Sequence, residues 1–89
     1  HTRQLALELG SRGIAVNCLM PGVTDTPALR AIPGHQDIVK RVKEHHPGGR
    51  MTRPEDVAHV LVALADPRVT WISGAVIPVD GGEATVGAG

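Results

Sequence analysis

Thr24 and Thr26 stand two residues apart directly behind Pro21-Gly22, the pairing in this chain best suited to holding a small polar ligand. Proline lacks the donor that a strand ladder needs, and glycine lets backbone come close to a ligand. The amides of Val23 and Thr24, together with the two hydroxyls, can then orient an amide or a phosphate. The competing reading is a turn whose threonines satisfy local backbone groups. The other chemistry-bearing residues form no comparable set. His45 and His46 are adjacent, so on a helix their rings diverge by about 100°, and no Cys or carboxylate completes a metal site; surface histidines are expected. His59 lies beside Val60 in a helical stretch and reads as a boundary residue. Cys18 sits alone in an apolar run and reads as an inert core thiol. No metal ligand and no catalytic residue is assigned.

The elements that must position this loop follow from patterning. Leu5, Ala6 and Leu9 share one face over Thr2 to Leu9, a helix closed by Gly10 and Gly13. Ile14 to Met20 is apolar at consecutive positions, as in a parallel strand covered on both faces. Asn17 interrupts it, and its amide is expected to bond to neighbouring backbone, because an unpaired buried amide is costly. From Val23 to Arg50 runs a long excursion, read as a lid over 23–50, with one short helical stretch from Gln36 to His45 and a thin stripe of Ile38, Val39 and Val42. Thr52-Arg53-Pro54-Glu55 predicts a capping box between Thr52 and Glu55, opening a helix with Val57, Val60, Leu61 and Leu64 on one face. Asp66-Pro67 ends that helix. Trp71 and Ile72 lead into a second strand, Ser73 to Val79, in which Pro78 favours an edge. Asp80-Gly81-Gly82 closes the domain at residue 82, and 83–89 is expected to be a flexible tail.

Helix, strand, lid, helix, strand is one right-handed parallel crossover unit. Two strands cannot cover both faces of Ile14 to Met20, so further strands are expected elsewhere. The expected fold class is α/β, the C-terminal part of a Rossmann-like doubly wound parallel sheet. In such sheets ligands bind at the carboxyl ends of strands, where Pro21 to Thr26 lies.

Composition narrows the function classes. Nine Lys plus Arg balance nine Asp plus Glu in 89 residues, and Trp71 is the sole aromatic, so neither a basic footprint nor stacking rings favour nucleic acid. The longest apolar run, Val60 to Ala65, is far below the roughly 18 residues of a membrane span. A lone cysteine favours a reducing compartment, and a cytoplasmic location is the expectation. The chain enters a helix at Thr2 with no start signal, so further sequence is expected before His1.

Ile14-Ala15-Val16-Asn17-Cys18-Leu19-Met20-Pro21-Gly22-Val23-Thr24-Asp25-Thr26 resembles the strand and Pro-Gly loop of the short-chain dehydrogenases/reductases. Gly49 to Ala58 resembles the start of that family's next helix. Ile72 to Gly82 is similar to its last strand, ending in Asp-Gly-Gly, and Leu5 to Gly13 to the helix after its active-site tyrosine and lysine. The resemblance spans Thr2 to Glu83, closest in flavour to the 3-oxoacyl carrier-protein reductase type. It implies hydride transfer between NAD or NADP and a small-molecule carbonyl or alcohol. Pro21 and Gly22 would shape the cofactor loop, with Val23 and Thr24 backbone and the Thr26 hydroxyl holding the nicotinamide carboxamide. Asp25 to Gly48 would cover substrate. A homo-tetramer is the common assembly.

The chain departs from the family pattern in having no Tyr and no Gly-rich phosphate loop, so it carries neither proton donor nor phosphate cradle. The flap is rich in Arg30, Lys40, Arg41, Lys43, Arg50 and Arg53, which suits either a solvated face or an anionic substrate carrier. An alternative to the enzyme segment is a non-catalytic interaction fragment that folds only on a partner sheet.

Overall fold

The computed structural model describes residues 1–86; the final part of the expected tail, 87–89, lies outside the described residues. In chain order the elements are α1 (Thr2–Gly10), β1 (Cys18–Pro21), α2 (Pro27–Arg30), α3 (His35–His45), α4 (Pro54–Leu64), β2 (Val76–Val79) and a 3-10 turn (Glu83–Val86). β1 and β2 pair in parallel, with Cys18 opposite Val76, Leu19 opposite Ile77, Met20 opposite Pro78 and Pro21 opposite Val79. The architecture is α/β, a parallel pair with helical crossovers.

The strands are shorter than the apolar runs that announce them. Of the expected seven-residue strand and its end, only Cys18 to Pro21 pair as a ladder with the four residues of β2; ahead of it Val16 still bonds to Ser73 and Gly74, its carbonyl accepting from the Gly74 amide at 2.7 Å. Pro78 fits because, among the described residues, β2 is paired with β1 alone. Ahead of the ladder, Asn17 acts as expected of a satisfied amide. Its Nδ2 donates to the Ile72 carbonyl at 3.0 Å and its Oδ1 accepts from the Ala75 amide at 3.1 Å. The side chain thus replaces the ladder bonds missing there and sets the register of both strands.

Three local expectations need correction. The 23–50 excursion contains two helices rather than one: Thr26 caps α2, its Oγ1 accepting from the Leu29 amide at 3.1 Å, with Pro27 at the first helical position. The cap of α4 is shifted by one residue. Arg53, not Thr52, is the N-cap, and Asp56, not Glu55, reaches back to accept from the Arg53 amide at 2.8 Å. Glu83 to Val86 are wound into a 3-10 turn rather than trailing from the domain.

Asp56 also takes two bonds from the Arg50 guanidinium, at 2.8 and 3.0 Å. Those bonds and the Arg53 amide hold its carboxyl well below the usual carboxylate range. A depressed carboxyl contributes stability above its unfolded pKa and loses it as pH falls toward the folded value. A peptide spanning 48–68 should therefore be more helical than its Asp56→Asn counterpart at pH 7, and the difference should shrink steadily by circular dichroism as pH falls below about 4. A pH-independent difference would contradict this.

Burial is sparse. Val42 on α3 and Thr52 are the only buried residues described, at 2% and 7% exposure, so the excursion expected to be a flap supplies the one buried apolar side chain. Leu61, expected on the covered face of α4, is exposed. Leu7 of α1, off the Leu5, Ala6 and Leu9 face, and Trp71 are open as well, 83% and 98% exposed. They border a cavity of about 620 Å³ between α1 and the segment before β2.

Candidate functional site

The candidate loop leaves the carboxyl end of β1, since Pro21 is the last residue of that strand. Gly22 is required for space. A Cβ there would lie 2.8 Å from Thr52 Oγ1 and 2.9 Å from Asp80 Cβ, so the chain passes between the start of α4 and the end of β2 only as glycine. The Gly22 amide donates to the Val79 carbonyl at 3.3 Å, continuing the ladder by one bond. Pro21 is exposed, while Gly22, Val23, Thr24 and Thr26 are half-buried.

Both polar groups of Val23 are held. Its amide donates to Glu83 Oε1 at 3.1 Å, and its carbonyl accepts from the Thr52 amide at 2.8 Å. The second bond fixes the peptide plane between Val23 and Thr24. That peptide is trans, so the Thr24 N–H points away from Thr52. Thr24 Oγ1 donates to the Gly22 carbonyl at 2.9 Å, which spends its hydrogen and leaves lone pairs to accept. Thr26 Oγ1 accepts from Leu29, and a hydroxyl in that role keeps its own hydrogen to donate. One oriented N–H, one acceptor and one hydroxyl donor thus sit within three residues. A primary carboxamide, with an acceptor oxygen and an NH2 donor, fits that set.

Thr24 and Thr26 both stay half-buried on this loop with hydrogen-bonding capacity to spare, whereas Val23's amide, expected to be free, is engaged by Glu83. Four residues at the site were not singled out as part of it. Thr52 serves the loop through its amide and the Val79 carbonyl through its hydroxyl, at 3.4 Å, instead of capping α4. Asp80 accepts from the Gly82 and Ala84 amides at 2.9 and 3.0 Å and so shapes the turn after β2, a role that Asp-Gly-Gly does signal. His46 and Glu83 meet across the fold with no sequence signal. The His46 side chain is 9% exposed, contrary to the surface position expected for it, and its Nδ1 is 3.4 Å from Glu83 Oε1. Cys18 is a free, half-buried thiol. Among the described residues no group of three His, Cys, Asp or Glu is placed to hold a metal ion. No helix among them is long and apolar enough to cross a membrane.

Below the loop, a cavity of about 310 Å³ lies between Asp25, Arg30, α3 and Met51. Asp25 and Arg30 pair at 3.2 Å on its rim, both about half exposed, an arrangement worth little in stability at a solvated surface. A larger cavity of about 460 Å³ opens between the first turn of α4 and Asp80-Gly81-Gly82, away from Thr24 and Thr26.

A helix, a Pro-Gly loop at a strand's carboxyl end, a helical crossover and a parallel strand closing in Asp-Gly-Gly define a recognisable piece of an α/β oxidoreductase fold. Residues 1–83 match the family described as enoyl-(acyl carrier protein) reductase, and the chain belongs to the short-chain dehydrogenase/reductase family. It is 36% identical over 85 residues to cis-4-hydroxycyclohexanecarboxylate dehydrogenase of Sinomonas cyclohexanicum, covering 96% of this chain and 33% of that protein. It is 38% identical over 80 residues to the human mitochondrial dehydrogenase/reductase SDR family member 2, covering 90% of this chain and 29% of that one. The crystal structure of a short chain dehydrogenase family protein from Francisella tularensis superposes with a TM-score of 0.78 at 26% identity, over 94% of this chain and 38% of that one. The chain therefore spans about a third of the length of the curated relatives it matches.

Proposed function

We propose that this chain is the coenzyme-ring side of a dehydrogenase that moves hydride between NAD or NADP and a small carbonyl or alcohol. The observation that carries the reading is the oriented Thr24 amide, with the Thr24 and Thr26 hydroxyls on the same loop, at the carboxyl end of β1. Thr24's N–H and Thr26's hydroxyl would donate to the carboxamide oxygen, and Thr24 Oγ1 would accept from its NH2. Gly22 sets how close the backbone comes, and Thr52 keeps the Val23–Thr24 peptide from turning. Fixing the ring in this way selects the face from which hydride leaves and lowers the barrier by prepaying orientation. The bound nicotinamide supplies the hydride chemistry itself. Residues 23–50 serve as the lid over substrate. Proton donation falls to groups other than those of this chain, which has no Tyr. A homo-tetramer and a cytoplasmic setting complete the reading.

A second reading, an interaction fragment that folds only when docked on a partner sheet, is favoured by the exposed faces of α1 and the Trp71 segment. The two separate when residues 1–86 replace the matching third of the Sinomonas dehydrogenase. The enzyme segment yields a graft that turns over with coenzyme, and Thr26→Val raises the coenzyme KM about tenfold, the usual scale for losing one hydrogen bond, with a smaller fall in kcat. A folded graft without coenzyme binding favours the interaction fragment, and an unaltered KM in Thr26→Val removes Thr26 from the site.

A further inference from the structure

We infer that Glu83 is a positioning residue, its carboxylate joining the coenzyme loop to the end of α3 and fixing the Gly22–Val23 peptide, the one preceding the Val23–Thr24 peptide that Thr52 holds. This rests on reading Pro21–Thr26 as the coenzyme loop. Two segments distant from Glu83 in sequence converge on one of its carboxylate oxygens. The Val23 amide donates to Glu83 Oε1 at 3.1 Å, from 60 residues away. His46 Nδ1, just past the last residue of α3, lies 3.4 Å from the same oxygen.

The partners are preset on each side. His46 donates its own amide to the Val42 carbonyl at 3.1 Å, which ties it to the one buried apolar residue described. Glu83 follows a turn locked by both Asp80 oxygens, and its amide donates to the Asp80 carbonyl at 3.2 Å. A Cβ on Gly82 would come within 3.2 Å of the Pro47 ring, so the turn and the residue after His46 are in contact as backbone permits. Glu83 is thus not a surface acid that has found a stray amide. It touches both the loop and the end of the long excursion.

The His46 ring adds an independent sign. Its Nδ1 is buried and makes no hydrogen bond, being within ionic reach of Glu83 but out of line for a bond. A buried ring nitrogen left unpaired is unfavourable, so a small rotation that aligns it on Glu83 is favoured by the ring itself. Movement of α3 against the substrate cavity would be felt at this oxygen, and through it at Val23. In this arrangement the carboxylate does not touch the coenzyme; by holding the peptide before Val23 it limits how Val23 can turn, and Thr24 follows Val23.

The test uses the same graft of residues 1–86 in the Sinomonas dehydrogenase, read by residue-resolved amide hydrogen exchange and by equilibrium binding of NADH and NADPH. Glu83→Ala should speed exchange of the Val23 amide about tenfold without coenzyme, leave the Arg53 amide unchanged, and weaken coenzyme binding several-fold. Glu83→Gln keeps an acceptor for Val23 and should restore both. His46→Ala should speed Val23 exchange as well, and combined with Glu83→Ala should add nothing further. Unchanged Val23 exchange in Glu83→Ala overturns the inference. So does failure of Glu83→Gln to restore it, or additive His46→Ala and Glu83→Ala effects. Should Glu83→Ala not fold, the contrast between Glu83→Gln and His46→Ala decides: slow exchange in the first with fast exchange in the second supports the inference, and any other pattern overturns it. A graft that binds neither coenzyme refutes the functional reading instead, while Val23 exchange still reports on Glu83.

Discussion

Gly22→Val should be the most damaging single change at the site, collapsing coenzyme binding and lowering the melting temperature of the graft by about 5–10 °C. The cause is space rather than backbone freedom. Gly22 is not among the glycines of positive φ, so an L side chain is tolerated by its backbone angles. What it meets is Thr52 Oγ1 at 2.8 Å and Asp80 at 2.9 Å for Cβ and 3.2 Å for Cα, one neighbour on the start of α4 and the other on the turn after β2. Relief requires the loop to lift from both. Overpacking of that kind costs about 1–3 kcal/mol for modest additions, and the branched Val side chain adds two methyl groups to the clash. Lifting the loop also breaks the bond from Gly22 to Val79 and turns Thr24 away from its present direction. Differential scanning calorimetry and coenzyme titration check the two halves together. A stable graft with normal coenzyme affinity would show that the passage between Thr52 and Asp80 is not tight.

The second large effect concerns the 89-residue chain by itself, which should lack a cooperative thermal transition. Its accessible surface is 6572 Å² at 9.3 kDa. A folded globule of that mass exposes about 5000 Å². Its radius of gyration is 15.7 Å, against about 12 Å for a compact chain of this length. The two buried residues described, Val42 and Thr52, cannot offset the conformational entropy of the rest, at about 1–2 kcal/mol per residue for backbone alone. Leu7, Val62 and Trp71, each more than seventy per cent exposed, mark faces that gain stability only when something covers them. Circular dichroism and calorimetry on dilute chain should give a broad, gradual change, and the graft a sharp one. A sharp, concentration-independent transition in the isolated chain would mean that these elements hold one another without further cover.

Legibility in the sequence followed the range of each interaction. The stripe of Val57, Val60 and Leu64 and the stop at Asp66-Pro67 depend on neighbours within a turn or two, and α4 runs from Pro54 to Leu64 as that pattern requires. Asn17 was readable because a polar side chain in an apolar run has to be satisfied by backbone. The cap of α4 shifted because Thr52 is wanted elsewhere: its amide holds Val23 and its hydroxyl reaches Val79, so local capping yields to tertiary bonding. α2 carried a visible signal in Thr26-Pro27, and the competing ligand role of the hydroxyl obscured it. A hydroxyl can do both, since capping uses a lone pair and leaves the hydrogen. The length of β1 depends on β2, and the meeting of His46 with Glu83 depends on the whole crossover, so neither is written in local spacing.

The nicotinamide ring can be located outright. In a crystal structure of the graft with reduced coenzyme, the carboxamide is expected within about 3.5 Å of the Thr24 amide or the Thr26 hydroxyl, at the carboxyl end of β1. A ring bound at the opposite edge of the sheet, or beyond hydrogen-bond reach of both threonines, would contradict the assignment of this loop.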